Sequence, residues 1–171
     1  MLSITTHALN RQRRLSCREV SLKSAYRILA FLIAAEVVVQ AAAIAFAFFG
    51  LSKWIDGGGI LDKATMESDE ITFDEVAGFI VHGINGMMVM PLLALILLIV
   101  SFFAKVPGGS KWAGLVLLIV VIQVGLALFG REVSLLGLLH GANALILFAV
   151  AFHAGSRASA SRERDAEAQY A

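Results

Sequence analysis

Four stretches of this chain are apolar almost without interruption, at about 26–49, 76–104, 112–129 and 134–155, and polar segments separate them. An α-helix needs about 20 residues to cross the hydrocarbon of a bilayer. The third run is the shortest and gains a residue or two at either end to meet that length. The pattern predicts four membrane-spanning helices. The connection at 105–111 is short and the one after Gly130 shorter still, which favours neighbouring helices packed side by side. The expected fold class is therefore an all-α membrane protein, a four-helix up-down-up-down bundle.

The polar positions inside these runs repeat. His82-Gly83-Ile84-Asn85 near the start of the second run returns as His140-Gly141-Ala142-Asn143 near the start of the fourth. Upstream, Val37-Val38-Val39-Gln40 returns as Val120-Val121-Ile122-Gln123, and each glutamine is followed by an apolar stretch ending Phe-Gly. The chain reads as two helical hairpins, the second a weak copy of the first. Strongly polar groups at bilayer depth cost a few kcal/mol, so those that persist have partners or a task.

Composition and charge sharpen this picture. A content of 58% hydrophobic and 16% charged residues, with mean hydropathy +0.81, excludes a soluble domain. Eleven of the fourteen lysines and arginines fall in the N-terminal arm and the opening of the first run, in the 105–111 turn, or after the fourth run; only Lys53, Lys63 and Arg131 fall on the other side. By the positive-inside rule both termini are cytoplasmic, in a multi-pass protein of the cell membrane. The net charge of +1 carries no nucleic-acid signal, and the basic arm at 1–25 serves orientation and anionic-lipid contact. The domains expected are that arm, a transmembrane domain at 26–155 with an acidic outer loop at 51–75, and a polar tail at 156–171. Ala45-Phe46-Ala47 fits a signal-peptidase pattern, but the apolar region before it is longer than a signal peptide's, so the first run is expected to be retained. Cys17 is the only cysteine, which excludes an intrachain disulfide and a cysteine-based metal site. The outer loop lacks the ordered spacing of a calcium site and reads as solvated, with a short helix expected within 61–73.

Candidate chemistry gathers on the repeated motif. In a four-helix square the second and fourth spans are diagonal, and His82 and His140 each lie about six residues in from the outer end. Adjacent helices at about 8–10 Å give a diagonal of roughly 11–14 Å, which suits two imidazoles on the axial positions of one haem iron and is wide for a bare metal ion. Gly86 and Ala144, four residues after each histidine, leave room for a flat macrocycle. Gln40 and Gln123 come out at similar depth, where they would hydrogen-bond the imidazole N–H groups; Asn85 and Asn143 would do the same or tie helices together. Lys53 and Arg131 on the outer rim suit propionates. His153 has no histidine opposite it, so one haem is expected. Met87, Met88 and Met90 read as apolar filler, and Pro91 as a kink. Glu36, four residues before Gln40 and close to the midplane, is either a neutral carboxyl hydrogen-bonded to a neighbouring helix or a proton relay or quinone contact. Polar pairs of this kind also serve as interhelical contacts worth about 0.6–2 kcal/mol each, so a purely structural role remains open.

The succession of a Gln-bearing span, a His-bearing span and a repeat ending Leu-His-Gly-Ala-Asn resembles a family of small uncharacterised four-helix membrane proteins of actinobacteria. That resemblance covers 26–155, most of the chain, and the chain also resembles one four-helix half of haem A synthase. That second resemblance implies axial ligands at His82 and His140 near the outer face. The catalytic half of that family carries a glutamate three residues before its first ligand, where this chain has Phe79, and an outer-loop cysteine pair that is absent here. The likeness is thus to a b-type haem-binding half. The function expected is electron transfer through one haem b, with a quinone or a redox partner subunit. The competing expectation is a non-catalytic accessory or assembly subunit of a larger membrane complex.

Overall fold

The computed structural model describes residues 2–68, 70–130 and 132–170, with side chains from 19 to 164 within those limits. Arg131, expected on the outer rim, and Asp69 of the acidic loop lie outside the described residues. The elements are α1 (Leu2–Asp56), α2 (Lys63–Glu67), a 3-10 turn (Asp74–Val76), α3 (Ala77–Ile84), a π-helical segment (Asn85–Val89), α4 (Met90–Ser101), α5 (Gly109–Gly130) and α6 (Ser134–Tyr170). No strand occurs among the described residues. Four stretches are long and apolar enough to cross a membrane: Glu19–Asp56, Asp74–Ser101, Gly109–Gly130 and Ser134–Arg164. By length and composition the chain is a multi-pass membrane protein, and its exposed leucines, isoleucines, valines and phenylalanines are what a lipid-facing surface requires.

The helices end where their residues force them to. Neither glycine nor proline occurs between Leu2 and Phe49, so α1 has nothing to stop it and its helix includes the basic arm. Its end is a glycine cap: Gly58 takes φ +97°, its N–H donates to Ile55 O at 2.9 Å, and Gly59 N–H donates to Trp54 O at 3.0 Å. Those two bonds satisfy carbonyls that the last turn leaves free. The short helix expected in the outer loop is α2, capped by Asp62, whose carboxylate accepts from Thr65 N–H at 2.8 Å and from the Thr65 hydroxyl at 2.9 Å. That N–H bond holds the Asp62 carboxyl below its usual range. In the second span Pro91 does not simply kink the helix. Proline has no N–H and crowds the carbonyl four residues back; the chain answers with a π turn, in which Met90 N–H reaches Asn85 O. A π turn inserts one extra residue and turns the faces of the helix on either side of it.

α1 packs against α6 and the second span, and α5 packs against α6 and α4. The second and fourth spans therefore stand across the bundle from each other. Two sets of contacts mark its ends. At one, Lys105 Nζ lies 3.2 Å from a Glu19 oxygen, Tyr26 donates to Gly109 O at 3.0 Å, and Arg157 donates to Pro107 O at 3.5 Å. At the other, hereafter the loop end, Lys53 pairs with Glu75 at 3.7 Å and Trp54 stacks on Phe73. Between them the core is built on Tyr26, Ala30, Ile33, Ala34 and Val37 of α1, a helical stripe that meets Leu97, Val116, Leu147 and a run of small residues, Ala151, Ala154 and Ala158. Small residues let helices approach closely, which substitutes for the hydrophobic drive that lipid does not supply.

Gly78 is one such approach, and it is made against backbone. A β-carbon there would run into the carbonyl oxygen of Ala43 and the backbone and side chain of Ala47 on α1. Gly78→Leu is expected to lower stability by about 1–3 kcal/mol or more, as overpacking does, measured as earlier loss of the monodisperse detergent-solubilised species on heating. Gly114→Leu, at a position with nothing within 4 Å, is expected to leave it unchanged.

Candidate cofactor site between the second and fourth spans

His82 lies on α3, where its ring stands beside that of His140 on α6. The ring centroids are 6.1 Å apart with an interplanar angle of 66°. Each imidazole is anchored the same way: Nδ1 lies 3.1 Å from the backbone carbonyl of Gln40 in the first case and 3.1 Å from that of Gln123 in the second. A carbonyl only accepts, so Nδ1 carries the proton and Nε2 carries the lone pair. This is how a protein prepares a histidine to ligate a metal through Nε2.

The asparagines act as helix ties. Asn85 Nδ2 donates to Glu36 Oε2 at 2.5 Å; Asn143 Nδ2 donates to Ile119 O at 3.1 Å and to Gln123 Oε1 at 2.6 Å. Glu36 and Ile119 each lie four residues before the corresponding glutamine, so both asparagines reach the same level of their partner helix. The glutamine side chains differ. Gln123 Nε2 donates to His140 O at 3.0 Å and approaches His140 Nε2 at 3.2 Å, whereas both amide atoms of Gln40 are buried without a hydrogen-bond partner. The expectation that both glutamine side chains would hold imidazole N–H groups is therefore corrected: their main-chain carbonyls lie against Nδ1, and only Gln123 brings its side chain to a ring nitrogen.

Glu36→Gln preserves an oxygen able to accept from Asn85, whereas Glu36→Leu strands the Asn85 amide. The glutamine variant is expected to match the parent in stability and the leucine variant to lose about 1–3 kcal/mol, both read by thermal denaturation in detergent. An assembled glutamine variant that loses proton-coupled turnover would instead mark Glu36 as a relay.

The two histidines border a cavity of about 280 Å³, almost wholly apolar. Its lining pairs off along the sequence. Val37, Gln40, Ala41 and Ile44 match Val120, Gln123, Val124 and Ala127; His82, Gly83, Gly86 and Met87 match His140, Gly141, Ala144 and Leu145. Met90, Val120 and Leu147, all buried, close it toward the core. Met87 and Leu145 are exposed, so the cavity communicates with the lipid-facing surface. A β-carbon at Gly86 would meet only Gln40 Oε1, at 3.4 Å, and one at Gly83 or Gly141 would meet nothing within 4 Å. The aliphatic half of this lining escaped the sequence reading, although its signal was present: each pair keeps a constant offset from its glutamine or histidine.

The remaining candidates fall elsewhere. Lys53 is exposed and paired with Glu75. His153 lies against Trp112, ring centroids 4.4 Å apart, away from the cavity. Met88 points outward, while Met87 and Met90 line the cavity.

What the residues fit can be tested on the donor set. Among the described residues no group of three or more histidine, cysteine, aspartate or glutamate side chains could hold a metal ion. A bare ion would thus have two protein ligands where a structural zinc site has four. Haem brings four equatorial nitrogens of its own and asks the protein for one or two axial ligands. The 6.1 Å between ring centroids leaves room for one ion with metal–nitrogen bonds of about 2 Å on each side. Two imidazoles match the number of axial ligands haem asks for and fall short of the four a structural zinc site uses. No protein-family model matches this chain, and no curated protein or solved structure is detectably similar to it.

Proposed function

We propose that this protein is a b-type cytochrome-like membrane protein that holds one haem b between its second and fourth spans and transfers electrons. The observation that carries this reading is the pair of imidazoles, each with Nδ1 on a backbone carbonyl, facing each other across an apolar cavity. His82 and His140 would be the axial ligands, and Gly86 and Ala144 would flank the ring. Bound there, haem supplies one-electron chemistry. The chain's own contribution is to fix both ring orientations through Gln40 O and Gln123 O, to brace the helices through Asn85 and Asn143, and to surround the site with apolar side chains. A quinone or a redox partner subunit in the membrane would exchange electrons with it, and the open side of the cavity at Met87 and Leu145 is where such a partner has access. The test is the visible spectrum: protein purified after haem-replete expression is expected to show a Soret band, with visible bands that sharpen on reduction. A folded, colourless protein would sink the reading.

The same proposal includes the finer architecture. The matched bonds of His82 with Gln40 and of His140 with Gln123 support two repeated helical hairpins, and the contacts at the two bundle ends support an up-down-up-down order. The lysine and arginine distribution supports cytoplasmic termini, with the loop end on the outer side of the cell membrane. A reporter active only in the cytoplasm and fused after Ala171 is expected to be active; activity only of an exported reporter at that point would reverse the orientation.

One set of observations favours a second reading. Asn85 with Glu36, and Asn143 with Ile119 and Gln123, are interhelical hydrogen bonds that stabilise a bundle with or without a cofactor. On that reading the protein is an accessory or assembly subunit of a larger membrane complex, and the spectrum separates the two.

A further inference from the structure

The two histidines are prepared alike at Nδ1 and unlike at Nε2. Nε2 of His140 already has a partner: with its proton on Nδ1, it accepts from Gln123 Nε2 at 3.2 Å. Gln123 is itself held, its other amide hydrogen going to His140 O at 3.0 Å and its oxygen accepting from Asn143 at 2.6 Å. Both hydrogens and the oxygen of the Gln123 amide are thereby engaged. On the other side, among the described residues, Nε2 of His82 makes no hydrogen bond, and the nearby Gln40 amide, the sequence counterpart of Gln123, is buried with neither end satisfied. The His82 side therefore lacks the hydrogen-bonded arrangement that engages Nε2 on the His140 side.

We infer that the two histidines hold the iron unequally: His82 is the permanent ligand, and His140 is an exchangeable one, drawn off by the Gln123–Asn143 latch, so that the site accepts a small neutral ligand of the diatomic-gas class on the His140 side. This inference rests on the haem reading. Whenever His140 releases the iron, its Nε2 does not go bare, because Gln123 is in place to donate to it. No such bond is in place at His82: among the described residues neither its Nε2 nor the nearby Gln40 amide has a hydrogen-bond partner. The difference between the two ligands is one hydrogen bond to a neutral group, enough to change an equilibrium by about tenfold. The apolar lining admits a neutral diatomic molecule and disfavours an anion.

Carbon monoxide added to the reduced, haem-loaded full-length protein in detergent is the probe. The expected result is a saturable shift of the Soret band in the parent. His140→Ala is expected to retain haem in a five-coordinate form that binds carbon monoxide more tightly, and His82→Ala to lose haem. Gln123→Leu removes the competitor and is expected to weaken carbon monoxide binding about tenfold; Asn143→Leu, which frees the Gln123 oxygen without touching His140, is expected to weaken it in the same direction. Coloured parent protein whose spectrum ignores carbon monoxide overturns this inference and leaves the cytochrome reading standing. Equal haem loss in the two histidine variants overturns it as well. A colourless parent overturns both.

Discussion

Alanine at either His82 or His140 is expected to abolish the six-coordinate low-spin spectrum of the haem-loaded protein, while alanine at His153 leaves it unchanged. The reason lies in the ligand count. Two imidazoles face the cavity, and among the described residues there is no cluster of further ligands to replace one that is lost. Losing even a hydrogen-bond partner of a metal-bound histidine typically costs about 10–100-fold in affinity, and losing a ligand itself is expected to cost more. His153 is the internal control because its ring packs on Trp112 and not on the cavity. The measurement is a reduced-minus-oxidised spectrum normalised to protein, with detergent gel filtration to show that each variant remains folded. Unchanged spectra in the His82 and His140 variants would remove both residues from the site.

Gly86→Leu is the second large effect expected, and it separates a cavity that holds something from one that is merely loose packing. The β-carbon itself is tolerated, since its nearest neighbour is Gln40 Oε1 at 3.4 Å. The rest of the leucine side chain then projects into an apolar cavity of about 280 Å³. Filling an apolar void stabilises a bundle by about 0.8 kcal/mol for each buried CH₂ group. Without its cofactor the variant is therefore expected to be as stable as the parent or more so, and its haem content is expected to fall severalfold. Thermal denaturation and haem stoichiometry on the same preparation check both halves. If stability rises and haem content does not fall, the cavity is a packing defect and the ring lies elsewhere. This behaviour contrasts with Gly78→Leu, where the added atoms meet the backbone of α1 and the whole bundle loses stability.

How much of this was legible in the sequence depends on which interactions carry it. Spans could be read directly, because the cost of an unsatisfied backbone in lipid makes a long apolar run helical whatever it packs against. The short loop helix was legible for a similarly local reason: Asp62 and Thr65 stand three residues apart, the distance at which a side chain caps a first turn. The extent of α1 and α6 was less so. The polar arm and tail look like separate segments by composition, yet neither contains a residue that ends a helix, and the helices continue through them.

The sequence by itself determined the four apolar helices, the matched placement of two histidines, two asparagines and two glutamines, and the small residues one turn from each histidine. All of these follow from periodicity and from the cost of polar groups in a bilayer, which act along the chain. Tertiary structure alone decided which atoms meet. It put the backbone carbonyls of Gln40 and Gln123 on the imidazoles, gave Asn85 to Glu36 but Asn143 to Ile119 and Gln123, and left the Gln40 amide without a partner. The repeated His-Gly-x-Asn motifs are alike, so the outcomes are set by the residues around them. The difference arises because position 36 offers a carboxylate where position 119 offers only its main chain, and because Pro91 imposes a π turn on the second span that the fourth does not have. Helix direction and side-chain reach depend on such shifts of one residue, and they are resolved only when four helices pack against one another.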